Sequence, residues 1–347
     1  MSETQHRRRP HYSGTHPKKF EEKYKELDPA KYSDTVEKVM AKGSTPAGMH
    51  ISIMVDEVLE HLCIEPGMNG CDCTLGYGGH STAILKKLSG SGHLVSLDVD
   101  PDESAKTEAR LRKEGYGEDI FAIRHINFAD VKKAADEFGK FDFLMADLGV
   151  SSMQIDNPAR GFSYKTESPL DLRMNQHKGI TAAERLKELS LDEIEGMLIE
   201  NADEPYAGRI AKVIASHNRK KDHIETTVDL KNAVEEALAF LDESEKKEAV
   251  KKSCARVFQA LRIDINGEYE ALESLLYSLP DVMKPGGRTV FLTFHSGEDR
   301  LVKRAFKECL RSGILSDCSQ DVIRPSSKEC FDNPRARSTK LRWAVFV

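Results

Sequence analysis

No run of about 18 apolar residues occurs anywhere in the 347-residue chain, so no membrane-spanning helix can be drawn from the sequence. Its seven cysteines, Cys63, Cys71, Cys73, Cys254, Cys309, Cys318 and Cys330, are odd in number and never form a CxxC pair. That argues against a disulfide framework and against a zinc site, and leaves reduced structural thiols as the plain reading; no metal is expected. A surplus of positive charge is missing too. At a net charge of −6 the chain is a poor indiscriminate phosphate binder, because such binders gain affinity by releasing counterions with excess Lys and Arg. A nucleic-acid partner would have to meet basic residues grouped locally. The N-terminus, MSETQHRRRPHYSGTHPKKF, is basic but lacks the apolar stretch of a secretory signal, so a cytoplasmic location is expected.

What the chain does have is 39% apolar and 31% charged residues, the balance of a globular protein long enough for a core domain with a smaller second unit. Residues 1–48 read as a basic, partly helical extension that ends at the turn-rich GSTPAG segment. VDEVLEHLCI then shows helical spacing, after which strands and helices alternate. GCDCT, HLVSLDVD, DIFAIRH and FDFLMADLG read as strands, separated by STAILKKL, PDESAKTEARLRKEG and ADVKKAADEFG as helices. This rhythm implies an α/β fold with a parallel, doubly wound sheet. Residues 155–262 break it with several helical patterns and almost no strand, and read as an all-helical insert. The α/β core of 49–154 resumes over 263–347 with one helix, a strand at GGRTVFLTFHS, a further helix and a terminal strand at STKLRWAVFV.

The segment CDCTLGYGGHS is a strand leading through glycines into a helix. Gly76, Gly78 and Gly79 let the backbone bend tightly and approach a ligand at the carboxyl end of a parallel strand. Asp98, about 20 residues on, sits where an acid accepts hydrogen bonds from ribose hydroxyls. Both NAD and S-adenosylmethionine would suit such a loop. The dinucleotide pattern needs a third glycine where this chain has Ser81, and Asp72 at the head of the loop would repel a pyrophosphate but can accept a bond from the amino group of a methionine moiety. The spacing therefore favours S-adenosylmethionine, with an NAD-dependent oxidoreductase or a ligand-free turn as the alternatives. Asp147, at the exit of the fourth strand, is placed to contact both the cofactor and an amine being methylated; capping the following turn is its bland alternative.

Taken together these segments resemble the bacterial 16S ribosomal RNA cytosine-N4 methyltransferases, the small-subunit methyltransferase H family. The resemblance runs from His50 to the C-terminus through DCTLGYGGHS, LDVD, Asn127-Phe128, DLGVSSMQID, RGFSY, PLDLRMN, RVFQALRIDIN, GGRTVFLTFHS and NPRARSTKLR, in that order. It implies a class I S-adenosylmethionine methyltransferase fold and methylation of a cytidine N4 amine in 16S rRNA or the small ribosomal subunit. It also implies cofactor contacts from Gly78, Gly79, His80, Asp98, Phe128, Asp147 and Gln154. Phe128 would cover the adenine face and Gln154 would offer its amide to the adenine edge. Arg160, Arg173, Arg262, Arg335 and Arg337 become candidates for RNA contact, with internal ion pairs to Asp171, Asp264 or Asp332 as the competing role. His295 is a minor candidate at the end of the fifth strand. The chain departs from the family pattern at Gly297, where leucine is usual, and at Ala202-Asp203-Glu204, where the family has GEE. The rival readings are a methyltransferase of the same fold acting on another RNA site or amine, and a non-catalytic RNA-binding assembly factor.

Overall fold

The computed structural model describes residues 52–347, so the expectations for residues 1–48 lie outside the described residues. The described chain opens with helix α1 (Val55–Leu62) and then alternates: β1 (Asn69–Asp72), α2 (Gly79–Leu88), β2 (His93–Leu97), α3 (Pro101–Lys113), β3 (Phe121–Arg124), α4 (Val131–Phe138) and β4 (Phe141–Asp147). A short helix α5 (Ser152–Asp156) follows, and then the helical stretch α6 (Ala182–Glu188), α7 (Leu191–Ala202), α8 (Ala207–Lys220), α9 (Thr227–Ala237) and α10 (Glu243–Asn266). The chain closes with α11 (Glu268–Val282), β5 (Met283–Thr293), α12 (Ser296–Arg311), β6 (Leu315–Cys318), α13 (Ser327–Asp332) and β7 (Lys340–Phe346).

Seven strands form one sheet in the order β3-β2-β1-β4-β5-β7-β6. β1 to β5 are parallel, and β7 runs antiparallel to both β5 and β6. The strand order reverses between β1 and β4, which opens a crevice at their carboxyl ends. Alternation along each strand supplies both faces of the sheet with apolar side chains. Val95, Leu97, Leu144, Ala146 and Phe291 pack under α11 and α12 through Leu275, Leu279, Val302 and Phe306. Leu94, Phe143, Met145, Val290 and Leu292 point the other way, onto Val58, Leu62, Ile84 and Leu88 of α1 and α2. The helices α6 to α10 bury a third cluster of their own, including Leu186, Ile194, Leu198, Ile210, Ile214, Val257 and Leu261.

Two details differ from the sequence reading. α10 runs past 262 to Asn266 and stops where Gly267 takes a left-handed conformation at φ 57°. β6 was not anticipated: its four residues at the sheet edge run buried, exposed, exposed, buried, with a register irregularity between Leu315 and Asp317, so no alternating pattern marks the strand.

Candidate functional site

Three strand exits build the crevice. At the first, Asp72 ends β1 and is wholly buried. Its carboxylate accepts the Ser81 hydroxyl at 2.6 Å and the Thr74 amide at 3.0 Å, and Ser81 also meets the Ser96 hydroxyl at 3.0 Å. Burial raises the Asp72 carboxyl above the usual range, opposed by the Ser81 bond. The expectation that Asp72 accepts a bond from a bound amino group is therefore corrected. It is a latch joining β1, α2 and β2, and Ser81, where a dinucleotide loop would carry glycine, is its partner. Gly78 caps α2 in a left-handed conformation at φ 69°, with no side-chain bond to the helix. The first amides of that ten-residue helix lack intrahelical acceptors and face the crevice with a positive dipole end.

At the second exit, the two carboxylate oxygens of Asp98 accept the amides of Gly76 at 2.7 Å and Asp100 at 2.8 Å. Burial pushes this carboxyl up to about 6 against those two bonds. Asp98 thus shapes the glycine loop while each oxygen keeps a lone pair for another donor. Asp100 is 2% exposed and caps α3, accepting the Glu103 amide at 3.2 Å. Tyr77 lies in the same loop, and burial drives its phenol far above the ordinary range, with Glu103 adding to the rise.

At the third exit, the Asp147 amide donates to Thr74 Oγ1 at 2.7 Å, tying β4 to the first loop. One oxygen of its half-buried carboxylate lies 3.5 Å from His80 Nδ1, and the other is buried without a hydrogen-bond partner. Desolvation pushes Asp147 up to about 6, with Asp72 and Glu298 adding to the rise and His80 opposing it. His80 is 5% exposed and bonds the Ile53 carbonyl through Nε2 at 3.0 Å, which anchors the loop. Gln154 completes a capping box with Ser151 and donates Nε2 to Asp100 at 3.1 Å, leaving one amide hydrogen uncommitted. Phe128, half-buried, opens a short 3-10 turn capped by Asn127 after β3.

The five arginines divide sharply. Arg160 is 4% exposed and pairs with Asp100 at 2.8 Å, so its guanidinium faces inward rather than toward an RNA surface. Arg173 chelates Asp171, Arg262 chelates Glu268 and Arg335 chelates Asp156, each through two nitrogens. None of the three uses the partner anticipated for it except Arg173. Arg337 is exposed, with no ion pair among the described residues. His295 lies 3.2 Å from Glu298 on the first turn of α12. Asp100 and Tyr77 were missed as organising residues. The Asp-Pro step at 100–101, a helix-start signature, was the available signal for Asp100.

A cationic cofactor suits this donor set. Asp98 and Asp147 are acids that burial raises to about 6 and that a nearby cation would keep ionised, Asp147 has a buried oxygen without a partner, and the uncapped start of α2 suits the carboxylate that the same cofactor carries. With the 3-2-1-4-5-7-6 sheet, they define a class I S-adenosylmethionine-dependent methyltransferase. The chain belongs to the MraW methylase family, whose model matches residues 47–347. It is 59% identical over 343 residues to ribosomal RNA small subunit methyltransferase H 1 of Agathobacter rectalis, covering 99% of this chain and 98% of that one. It is 53% identical to ribosomal RNA small subunit methyltransferase H 2 of Alkaliphilus metalliredigens over 99% and 98% of the two chains. With ribosomal RNA small subunit methyltransferase H of Heliobacterium mobile the identity is 37%, over 85% of this chain and 98% of the relative. The first two alignments take in the N-terminal extension, so this segment is shared with those relatives. Among the described residues, no helix is long and apolar enough to cross a membrane, and no cluster of three or more His, Cys, Asp or Glu is placed to hold a metal.

Proposed function

We propose that this protein methylates the exocyclic N4 amine of a cytidine in 16S rRNA, in the cytoplasm, using S-adenosylmethionine. The names of its relatives support the RNA, and the observation that carries the chemistry is the partnerless carboxylate oxygen of Asp147 at the β4 exit. The bound cofactor supplies an electrophilic methyl on a sulfonium. When bound it would pass that methyl to the cytidine nitrogen and be left as a neutral thioether. The amine lone pair is delocalised into the ring, so a carboxylate accepting its N–H localises the pair on nitrogen and takes the departing proton. Asp147 is that acceptor, and alignment of the two partners contributes much of the rate.

In this reading the loop of Gly76, Gly78, Gly79 and His80 holds the methionine end and Asp98 accepts the ribose hydroxyls. Phe128 covers the adenine, and the uncommitted amide hydrogen of Gln154 reaches its edge. The core, residues 49–154 and 263–347, carries the cofactor, and the helical insert, residues 155–262, serves the substrate. Arg173, Arg262, Arg335 and Arg337 hold an RNA strand whose target base leaves its stack. Mass spectrometry of small-subunit rRNA nucleosides, from cells with and without the gene, tests the proposal. Loss of an N4-methylated cytidine is expected, and an unchanged nucleoside profile would overturn the assignment.

A further inference from the structure

We propose that Asp100 and Arg160 form a positioning pair that couples occupancy of the cofactor crevice to the conformation of the turn at residues 171–176. The inference rests on the methyltransferase reading for its ligand and on the geometry for everything else. Asp100 is bonded directly to the ribose-side acid, since its amide donates to Asp98 at 2.8 Å. Its own carboxylate receives Arg160 at 2.8 Å and Gln154 at 3.1 Å on the same oxygen. The terminal nitrogen of Arg160 that meets Asp100 also donates to the Met174 carbonyl at 2.6 Å and approaches the Arg173 carbonyl at 3.3 Å. From the far side Asn266 accepts the Met174 amide at 2.7 Å and donates to the Leu172 carbonyl at 2.8 Å. One continuous polar chain therefore runs from Asp98 to the turn that carries Arg173.

The burial of the pair makes this chain stiff. A guanidinium removed from water is strongly destabilising unless its charge is paired, so Arg160 must follow Asp100. The backbone around it is closely packed as well. The Leu172 amide donates to the Arg160 carbonyl at 3.1 Å, and Gly161, at φ 70°, leaves only 2.4 Å between an added Cβ and the Pro169 carbonyl oxygen. A ligand that draws Asp98 and Gln154 together fixes Asp100, and through Arg160 it fixes the carbonyls of 173 and 174. By linkage, whatever orders the turn then favours the ligand by the same factor.

Hydrogen exchange of the full-length protein with and without saturating S-adenosylhomocysteine reads this coupling without any RNA. In the parent protein the Arg173 and Met174 amides should slow by about tenfold when the ligand is added. That protection should disappear in Asp100→Asn and Arg160→Lys, while ligand binding persists. Asn266→Ala cuts the same chain from the other side and should lose it too, which keeps the test open if a variant of the buried pair does not fold. Exchange in the turn that ignores the ligand, or equal protection in folded variants, would overturn the proposal. Failure of the RNA reading would show in the nucleoside profile and leave this measurement unaffected.

Discussion

His80 stands with one ring nitrogen 3.5 Å from Asp147 and the other 3.0 Å from the Ile53 carbonyl. A carbonyl only accepts, so Nε2 carries a hydrogen and Nδ1 is the atom turned to the carboxylate. At 3.5 Å that approach is longer than a hydrogen bond, and the second Asp147 oxygen is buried without a partner. Asp147 is thus flanked by a ring that is itself anchored to the backbone at Ile53.

Cofactor affinity should depend on pH through the two acids. Asp98 and Asp147 both titrate near about 6, and a sulfonium with an ammonium favours their ionised forms. Affinity measured by calorimetry should therefore be level above about pH 7 and fall as the pH drops through 6. In Asp98→Asn the fall should involve one proton fewer. A profile that is flat from pH 5 to 8 would show that neither acid meets the cofactor.

Asp147→Asn should make the protein more stable and less active. Burial raises the folded carboxyl above its unfolded value, so ionising Asp147 costs folding free energy increasingly as pH rises from about 4 to about 6, and that cost stays constant above. The amide removes it, for a gain of about 1 to 3 kcal/mol at pH 8 that vanishes below about pH 4. The carboxylate keeps 29% of its side-chain surface exposed, which holds the gain toward the lower figure. Methyl transfer should fall by about 100-fold or more. Urea unfolding at pH 4 and 8 beside a turnover assay checks both parts, and a variant destabilised at pH 8 would contradict the first.

How far the sequence reached follows from the kind of signal each part carries. Strand–helix alternation and the glycine loop are local patterns, so the sheet and the crevice at β1 were legible. The roles of charged side chains were less so, because a partner far along the chain leaves no mark near the residue it pairs with. Arg160 has the look of an RNA contact and is the inward tether of Asp100, 60 residues away. Asp72 has the look of a ligand acid, yet its distance from solvent is set by Ser81 and by the strand on either side. β6 lacked a pattern long enough to read.

Ser81→Ala should expose the structural role of Asp72. Removing the 2.6 Å donor leaves a fully buried carboxylate with only Thr74, at a cost of about 1 to 3 kcal/mol. The Ser81 bond favours the ionised acid, so the loss should be larger at pH 8 than at pH 5. Equal losses at the two pH values would mean that Asp72 stays protonated throughout.

Gly297→Leu should be destabilising alone and tolerated beside a smaller residue at 269. A Cβ on Gly297 would lie 1.8 Å from the Tyr269 hydroxyl and 2.7 Å from its ring carbon, so that tyrosine would have to leave. Its hydroxyl now donates to the Asn201 carbonyl at 3.2 Å, while Arg300 and Ser296 of α12 approach Asp203 at 3.1 and 3.5 Å. Two places where the chain departs from the family pattern, 202–204 and 297, thus lie at one junction: Tyr269 bonds Asn201, and Ser296 and Arg300 approach Asp203, joining the end of α7 to the start of α12. Overpacking at such a contact costs about 1 to 3 kcal/mol. In the double variant Tyr269→Ala, Gly297→Leu, the vacated ring volume admits the leucine. The two substitutions should therefore be coupled by about 1 kcal/mol or more in a double-mutant cycle read by urea unfolding. Additive effects would mean that the glycine is not there to make room for the tyrosine. Because His295 and Glu298 lie on either side of Gly297 at the same helix start, the single variant should also lose methylation beyond its loss of folded protein, and the double variant should recover it.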